Sequence, residues 1–386
     1  MSVSQSSKLR FEGMGLSANK LLFSSEADIV LERRRRAVGP WKFDIESTKG
    51  AEWQNWRPAR QEAFVREAVR YWRAKGFPYY SLTNDEIRRE LTWLTAYDAK
   101  RVFVGDEIMA NNLGLRLANY FHPQMWHVRC TRYRSPYETF ANDTKLAAAI
   151  RRSLTIWPDR FGANGSCLRR ILKSFSNTVG VSNFRPTVAV AIVERYAPPG
   201  GRVLDFAAGY GGRLLGAQIA GRAYYGVDAG MCQVQGLRRM VTACKEAGYR
   251  APVVICRGAA EIVLPRLRSA SFDLVFSSPP YFDREKYGNE RDQSVLRDPT
   301  LEEWRERFLR RVIDESARLL APGGHLVLNV CDQPEHIAAM TLDLTQGSFL
   351  LKKVWKMRIA KLPYKRSNAS DAYKWEPVLT FKKRVR

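Results

Sequence analysis

The residues best placed to do chemistry are Ser278-Pro279-Pro280-Tyr281, which follow an apolar run, Phe272-Asp273-Leu274-Val275-Phe276, that reads as a buried strand. Two prolines fix φ and offer carbonyls with no competing N–H of their own, so acceptors can be aimed at one spot, and the tyrosine beside them presents a flat face. Ser278 adds a hydroxyl that can accept a hydrogen bond from an amine and draw its lone pair out of ring conjugation. Such a turn suits a planar group bearing an amine, which then becomes a usable nucleophile. Taken alone, the four residues are equally consistent with an ordinary strand-ending turn.

Seventy residues upstream, Arg202-Val203-Leu204-Asp205-Phe206-Ala207-Ala208-Gly209-Tyr210-Gly211-Gly212-Arg213-Leu214-Leu215 is a short apolar strand running into a glycine turn and then a helical pattern. Glycines let a backbone pass close to a ligand, and Asp205 at the strand end can engage a polar or cationic part of it. The spacing matches neither the three-glycine dinucleotide fingerprint nor a phosphate loop ending in Gly-Lys-Ser/Thr, so a pyrophosphate is not the expected guest. A different adenosine compound fits better. Tyr224-Tyr225-Gly226-Val227-Asp228 reads as the next strand, with a carboxylate at its tip where a ribose diol would be gripped. A third strand, Val253-Val254-Ile255-Cys256, leads to Gly258-Ala259-Ala260-Glu261, small residues suited to flank an adenine ring. On alternating strand and helix patterns, this order predicts a doubly wound α/β domain.

The order Asp-x-x-x-Gly-x-Gly, acidic strand tip, Ser-Pro-Pro-Tyr resembles the S-adenosylmethionine-dependent methyltransferases that modify exocyclic amino groups of bases, above all the DNA amino-methyltransferases. Ser182-Asn183-Phe184-Arg185-Pro186-Thr187 is similar to the segment those enzymes set against the methionine end of the cofactor, with Arg-Pro where Lys-Pro is common. Leu319-Leu320-Ala321-Pro322-Gly323-Gly324-His325-Leu326-Val327-Leu328-Asn329-Val330 looks like the helix, turn and fifth strand of that fold, and Trp375-Glu376-Pro377-Val378-Leu379-Thr380-Phe381-Lys382 like its final strand. The resemblance covers roughly residues 176–386 and implies a Rossmann-like class I methyltransferase domain there. It implies S-adenosyl-L-methionine as cofactor, held by Phe184, Arg185, Asp205, Ala207, Gly209, Gly211, Asp228, Ala259 and Ser277. It also implies Ser278, Pro279, Pro280 and Tyr281 as the catalytic residues.

The glycine loop departs from the DNA enzymes at Phe206, where they usually carry proline, and at Gly212-Arg213, where small hydroxyl residues are frequent. In the family a leading Ser is found chiefly in enzymes acting on cytosine N4, and Asp or Asn chiefly in those acting on adenine N6. Ser278 therefore points to cytosine N4. A related Pro-Pro-Tyr turn also serves enzymes that methylate guanine N2 in RNA.

Lysine and arginine total 63 against 39 acidic residues, a net charge of +24 and a pI near 10.0, which is the footprint of a chain that lives beside polyanions. From Leu350 to Arg386 there are 12 basic residues against Asp371 and Glu376. Lys361, Lys365 and Arg366 lie there, interleaved with Trp355, Tyr364, Tyr373 and Trp375, and a basic surface with aromatics provides phosphate contacts plus stacking. A second basic stretch from Arg132 to Lys173 includes Arg151 and Arg152 and could form the opposite wall of a nucleic-acid groove. DNA is thus the expected partner, with RNA the alternative.

At 386 residues the chain is comfortable for two domains. Residues 1–175 read as a mostly α N-terminal domain available for target recognition, and 176–386 as the methyltransferase domain. Phe64, Ala68, Tyr71 and Trp72 mark an amphipathic helix between Pro58 and Gly76. Thr83 reads as a cap, with Glu86 three residues later, for the helix holding Ile87, Leu91 and Leu94. Further helices are expected over 106–120 and 142–154. Arg33-Arg34-Arg35-Arg36 reads as a solvated helix end, with an arm over phosphates as the alternative.

No apolar stretch approaches 18 residues and no signal-peptide pattern is present, so a soluble protein of the cytoplasm is expected, with no membrane partner. Six scattered cysteines form no Cys-x-x-Cys pair and read as reduced thiols, and four histidines have no metal spacing, so no metal site is expected. The resemblance implies direct methyl transfer to a flipped base lying on Tyr281, with Phe282 alongside and residues 283–291 as a loop able to close over it. Modification of host or phage DNA is the context it suggests. An RNA or small-molecule N-methyltransferase and a non-catalytic nucleic-acid-binding subunit remain open beside this reading. Oligomeric state is not legible.

Overall fold

In the computed structural model, which describes residues 41–130, 133–288, 290–331, 335–361 and 373–384, the alternating pattern folds into a nine-stranded sheet with helices on both faces. In chain order the strands are β1 (Phe103–Val104), β2 (Glu107–Ile108), β3 (Arg129–Cys130), β4 (Arg202–Asp205), β5 (Ala223–Asp228), β6 (Val253–Arg257), β7 (Phe272–Ser277), β8 (Glu285–Lys286), β9 (Leu320–Asn329), β10 (Phe349–Lys361) and β11 (Tyr373–Lys383). The order across the sheet is β1-β2-β10-β11-β9-β7-β4-β5-β6, and β3 pairs separately with β8. Strands β6, β5, β4, β7 and β9 run parallel, while β11 is antiparallel to both β9 and β10. From β4 the chain moves outward through β5 and β6, then crosses back to β7 and β9. The strand order therefore reverses between β4 and β7, and a crevice opens there beyond their carboxyl ends.

Burial follows the two-residue period of each strand. Val203, Leu274, Phe276 and Val327 pack on one face with the helices Pro186–Tyr196, Gly212–Ile219 and Met231–Glu246. Leu204, Val275, Leu326 and Leu328 pack on the other with Arg310–Leu319 and Ile337–Thr345. Near-continuous apolar runs are what a parallel sheet covered on both faces requires.

Contacts divide the chain into two compact units, one of residues up to Pro78 with Ile150–Cys167, the other Tyr79–Ala149 with Leu168–Arg386. This division does not fall at residue 175. The reason lies in the helix Asn84–Ala96, started by the Thr83–Glu86 capping box, whose Ile87, Leu91 and Leu94 join the core on the Pro186–Tyr196 face of the sheet. In the first unit the helix Pro58–Lys75 buries Phe64, Ala68 and Trp72, and the Trp72 indole donates to the Ala163 carbonyl at 3.2 Å.

The helix expected over 106–120 is only Leu115–Tyr120. Gly114 at φ +79° precedes it, and Glu107–Ile108 is instead drawn into the sheet beside β10, where Glu107 pairs with Arg358 at 2.7 Å. Tertiary pairing overrides local propensity there. The helix expected over 142–154 is present as Asp143–Thr155. The Arg33–Arg36 run, Tyr364, Lys365 and Arg366 lie outside the described residues.

Candidate active site

A cavity of about 490 Å³ lies at the switch point, walled by the turns that follow β4, β5, β6 and β7. After β4 the chain makes a tight loop in which Gly209 (φ +57°) and Gly211 (φ +78°) take left-handed backbone that favours glycine. Gly212 opens the next helix so close to Phe184 that a β-carbon would collide with the Phe184 carbonyl. Asn183 pins the turn, accepting from the Gly212 N–H (3.2 Å) and donating to the Tyr210 carbonyl (2.8 Å).

Asp205 and Ser277, expected as cofactor contacts, lie beneath this loop and do not line the cavity. The Asp205 carboxylate accepts from Arg213 Nε, Tyr224 Oη and Ser277 Oγ, each at 2.7 Å. Ser277 Oγ in turn accepts from the Ala207 N–H at 3.1 Å. The physical reason is Arg213, whose buried guanidinium engages the Asp205 carboxylate. Burial works against its charge and Asp205 restores it, so its pKa stands above the ordinary arginine value. Arg213 also lies over the Phe184 ring, 5.7 Å from its centroid. Gly211 serves the turn and packs on Leu237 and Met240, outside the cavity wall.

Phe184, Arg185, Ala207, Gly209, Asp228 and Ala259 do line the cavity. Asp228, at the tip of β5, accepts from the Gly209 N–H (2.7 Å) and the Gly230 N–H (2.9 Å). Burial pushes its carboxyl up to about 6 against the pull of those two donors. Each oxygen has further acceptor capacity, so the group can still take a diol. Arg185 donates to the Ile359 carbonyl at 3.3 Å, and its buried Nε has no hydrogen-bond partner among the described residues.

Ser278, Pro279, Pro280 and Tyr281 form the opposite wall, with Ser278 Oγ and Tyr281 Oη 3.2 Å apart. Burial raises the Tyr281 phenol well above its ordinary pKa, and the nearby Glu376 charge adds to that, so it stays neutral. Phe282 sits at φ +52° and turns to Trp304, with ring centroids 6.1 Å apart, rather than into the cavity. A bulky residue in that region is strained, and the surrounding core holds it. The loop after the tetrad is tethered: Cys130 pairs with Glu285 and Arg129 with Lys286.

Several charged residues that the sequence did not single out meet at this tetrad end. Glu285, Arg284, Lys374, Asn329 and Glu376 all line the cavity, and Asn329 Nδ2 donates to Glu376 Oε2 at 3.4 Å. Burial pushes Glu285 up to about 7 and raises Glu376 as well, while burial pulls the neighbouring Lys173 down to about 8. Glu285 and Glu376 stand in segments with recognisable motifs, yet nothing in spacing tells that both side chains face the tyrosine.

Arg151 pairs with Glu62 at 2.6 Å, and Arg152 is exposed on the same helix. Lys361 ends β10. Trp355, expected to stack on a base, is a core residue: it is buried, donates to Tyr196 Oη at 3.0 Å and packs on Phe103. Lys353 and Arg358 are engaged by Asp106 and Glu107. Among the described residues no group of His, Cys, Asp and Glu could hold a metal ion, and no helix is long and apolar enough to cross a membrane. His122 is buried, and desolvation pulls its pKa down to about 3. Cys232 is an exposed free thiol, while Cys130, Cys167, Cys244 and Cys331 are buried.

A parallel sheet with its cavity at the reversal point, a glycine loop held by acidic strand tips and an antiparallel β11 set between β9 and β10 make this a Rossmann-like methyltransferase fold, with S-adenosyl-L-methionine as its cofactor. Residues 272–385 match the family model N6_N4_Mtase, described as DNA methylase, which supports a DNA amino-methyltransferase. No curated protein sequence matches the chain. Among solved structures, a SAM-dependent O-methyltransferase from Thermotoga maritima is 15% identical, with 53% of this chain and 68% of that one covered at a TM-score of 0.36. TrmN from Thermus thermophilus is 16% identical, with 62% and 78% covered at 0.36. A predicted O-methyltransferase from Agrobacterium tumefaciens is 16% identical, with 53% and 82% covered at 0.35. With likeness this low, it is strand order and register, not superposition, that define the fold.

Proposed function

We propose that the protein transfers a methyl group from S-adenosylmethionine to the exocyclic amino group of a DNA base, cytosine N4 foremost. The observation that carries this is the union in one cavity of the Gly209–Asp228 cradle with Ser278-Pro279-Pro280-Tyr281. The cofactor fits the residues present. Asp228 has acceptor capacity for a ribose diol, Ala259 leaves room for an adenine ring, and the unpartnered Arg185 Nε would satisfy a carboxylate. Bound there, S-adenosylmethionine would supply a sulfonium methyl carbon that an amine nitrogen takes while the C–S electron pair returns to sulfur and one amine proton is given up to solvent.

The chain's own part is positioning. Ser278 Oγ and the Pro279 carbonyl accept from the amine hydrogens and turn the lone pair out of the ring plane, toward a near-attack geometry. Tyr281 stacks on the base, which must leave the duplex at a cost of about a few kcal/mol. Ser278, where adenine enzymes of the resembled family chiefly carry an acidic or amide residue, supports cytosine over adenine. We assign Lys361, Lys365, Arg366, Arg151 and Arg152 to phosphate binding and residues 1–175 to target reading. Modification of host or phage DNA in the cytoplasm is the setting proposed.

A labelled-methyl transfer assay across duplex DNA, single-stranded DNA, RNA and a metabolite pool, with identification of the modified nucleoside, tests the reading. Label on N4-methylcytosine in DNA is the expected result. Label only in RNA or in a metabolite overturns it.

A further inference from the structure

The tetrad end of the cavity carries more carboxyl groups than amine capture by Ser278 and Pro279 needs. Glu285 reaches the wall from β8, which is fixed in place by pairing with β3. Glu376 reaches it from β11, where the antiparallel register with β9 sets it beside Asn329. The two carboxyls lie within electrostatic reach of each other and of Tyr281. Two part-buried carboxyls that feel one another do not both ionise readily.

Resting on the methyl-transfer reading above, we propose that Glu285, with Glu376 beside it, reads the edge of the target base next to its amine: Glu285, as the acid, donates to the ring nitrogen, and the Glu376 charge helps hold that proton on Glu285. Cytosine presents N3 beside N4, and adenine presents N1 beside N6, so both offer the complementary ring-nitrogen acceptor. Thymine and uracil have no such amine. A neutral carboxyl offers one O–H donor together with acceptor oxygens, whereas an ionised one only accepts and would oppose a ring-nitrogen lone pair.

The groups facing the pair come from every side. Around Glu285 stand Tyr287, whose hydroxyl donates to one of its oxygens, Arg284, Lys173, Tyr210 of the glycine loop, Cys130 of β3, Tyr281 and Glu376. Around Glu376 stand Asn329, Lys374, Arg284 and Arg185. Burial and the Glu376 charge outweigh the cations at Glu285 and push its carboxyl up to about 7. Protonated Glu285 is therefore abundant below neutrality and is lost as pH rises through 7.

The test is the pH profile of labelled-methyl transfer to unmethylated duplex DNA by the full-length protein. In the wild type, kcat/KM should fall about tenfold per pH unit on the alkaline side of a limb near 7. Glu285→Gln, neutral at every pH and still both donor and acceptor, should keep transfer within about threefold of the wild type at pH 6.5 and lose that limb. Glu285→Ala should lose at least about tenfold at pH 6.5. Glu376→Gln removes a neighbouring negative charge, eases ionisation of Glu285 and should move the limb to lower pH. Affinity for S-adenosylhomocysteine, measured by calorimetry, should stay within about threefold in all three variants and reports that the fold is intact. Wild-type transfer whose alkaline limb persists in Glu285→Gln, or a Gln variant no better than the Ala variant, overturns the pair and leaves the proposed function standing. Absence of transfer to any nucleic acid by the wild type overturns both.

Discussion

Replacing Arg213 by Met should strip the Asp205 carboxylate of the one cation paired with it among the described residues. The pair is buried on both sides, with 7% and 0% of the two side chains exposed, and the Nε–Oδ2 distance is 2.7 Å. Tyr224, Ser277 and the Ala207 N–H would still donate, so the carboxylate keeps three hydrogen bonds but stands as a buried, uncompensated charge. Breaking such a pair costs about 3–5 kcal/mol. At roughly 2 °C per kcal/mol for a large domain, the Tm should fall by roughly 6–10 °C. Asp205→Asn alone should cost a comparable amount, since it leaves the guanidinium buried without its counter-charge. Combining the two removes both charges and should recover most of the loss, giving a coupling energy of at least about 2 kcal/mol in a double-mutant cycle. Urea unfolding, followed by a probe in the sheet-containing unit, measures all four corners of the cycle. A single Arg213→Met loss below about 1 kcal/mol, or strict additivity of the two changes, would refute the assignment of Asp205 to holding the loop.

Asp228→Ala should weaken S-adenosylmethionine binding by at least about tenfold, since charge-assisted hydrogen bonds contribute about 1.5–3 kcal/mol each; unchanged affinity by calorimetry would remove Asp228 from the cofactor site. The Asp228 carboxyl is raised to about 6 in the fold, so cofactor affinity should fall as pH drops below 6 and level off above it. The same shift makes Asp228 a cost to the fold that grows as pH rises from about 4 to 6 and is constant beyond. Tyr281→Ala should lower the transfer rate while cofactor affinity stays within a few fold, and a wild-type rate would reduce the tetrad to a turn. Replacing Lys361, Lys365 and Arg366 by Ala should flatten the log–log salt dependence of DNA binding by roughly one unit for each phosphate no longer neutralised, without changing cofactor affinity; activity indifferent to salt and to the triple change would point to a small-molecule substrate.

What could be read along the chain was whatever one strand and its turn determine together. Val203 and Leu204 on opposite faces, the glycines after Asp205, Asp228 at a strand tip and the tetrad after Ser277 are each set within a dozen residues, and they recur in the structure where the pattern put them. Asp205 and Asp228 show where such reading ends. Both are strand-end acids, yet one opens to the cavity and the other does not, because a guanidinium eight residues on folds back over Asp205 and does not reach Asp228. Helical spacing allows that return but does not select it over an outward-facing arginine.

The carboxyls at the tetrad end were hidden for a different reason. Glu285 is aimed by pairing with Cys130, more than 150 residues away, and Glu376 by the register of β11 against β9. A shift of one residue in that register would turn Glu376 to the other face of the sheet and put Trp375 or Pro377 in its place. Trp355 makes the same point from the other side: its place in a basic, aromatic stretch suggested a stacking surface, but its position in β10 turns it inward to Phe103 and Tyr196. The reaction class is therefore written in local motifs that the backbone alone can present. The side chains that pairing between distant strands brings to the cavity become legible only when the register is known.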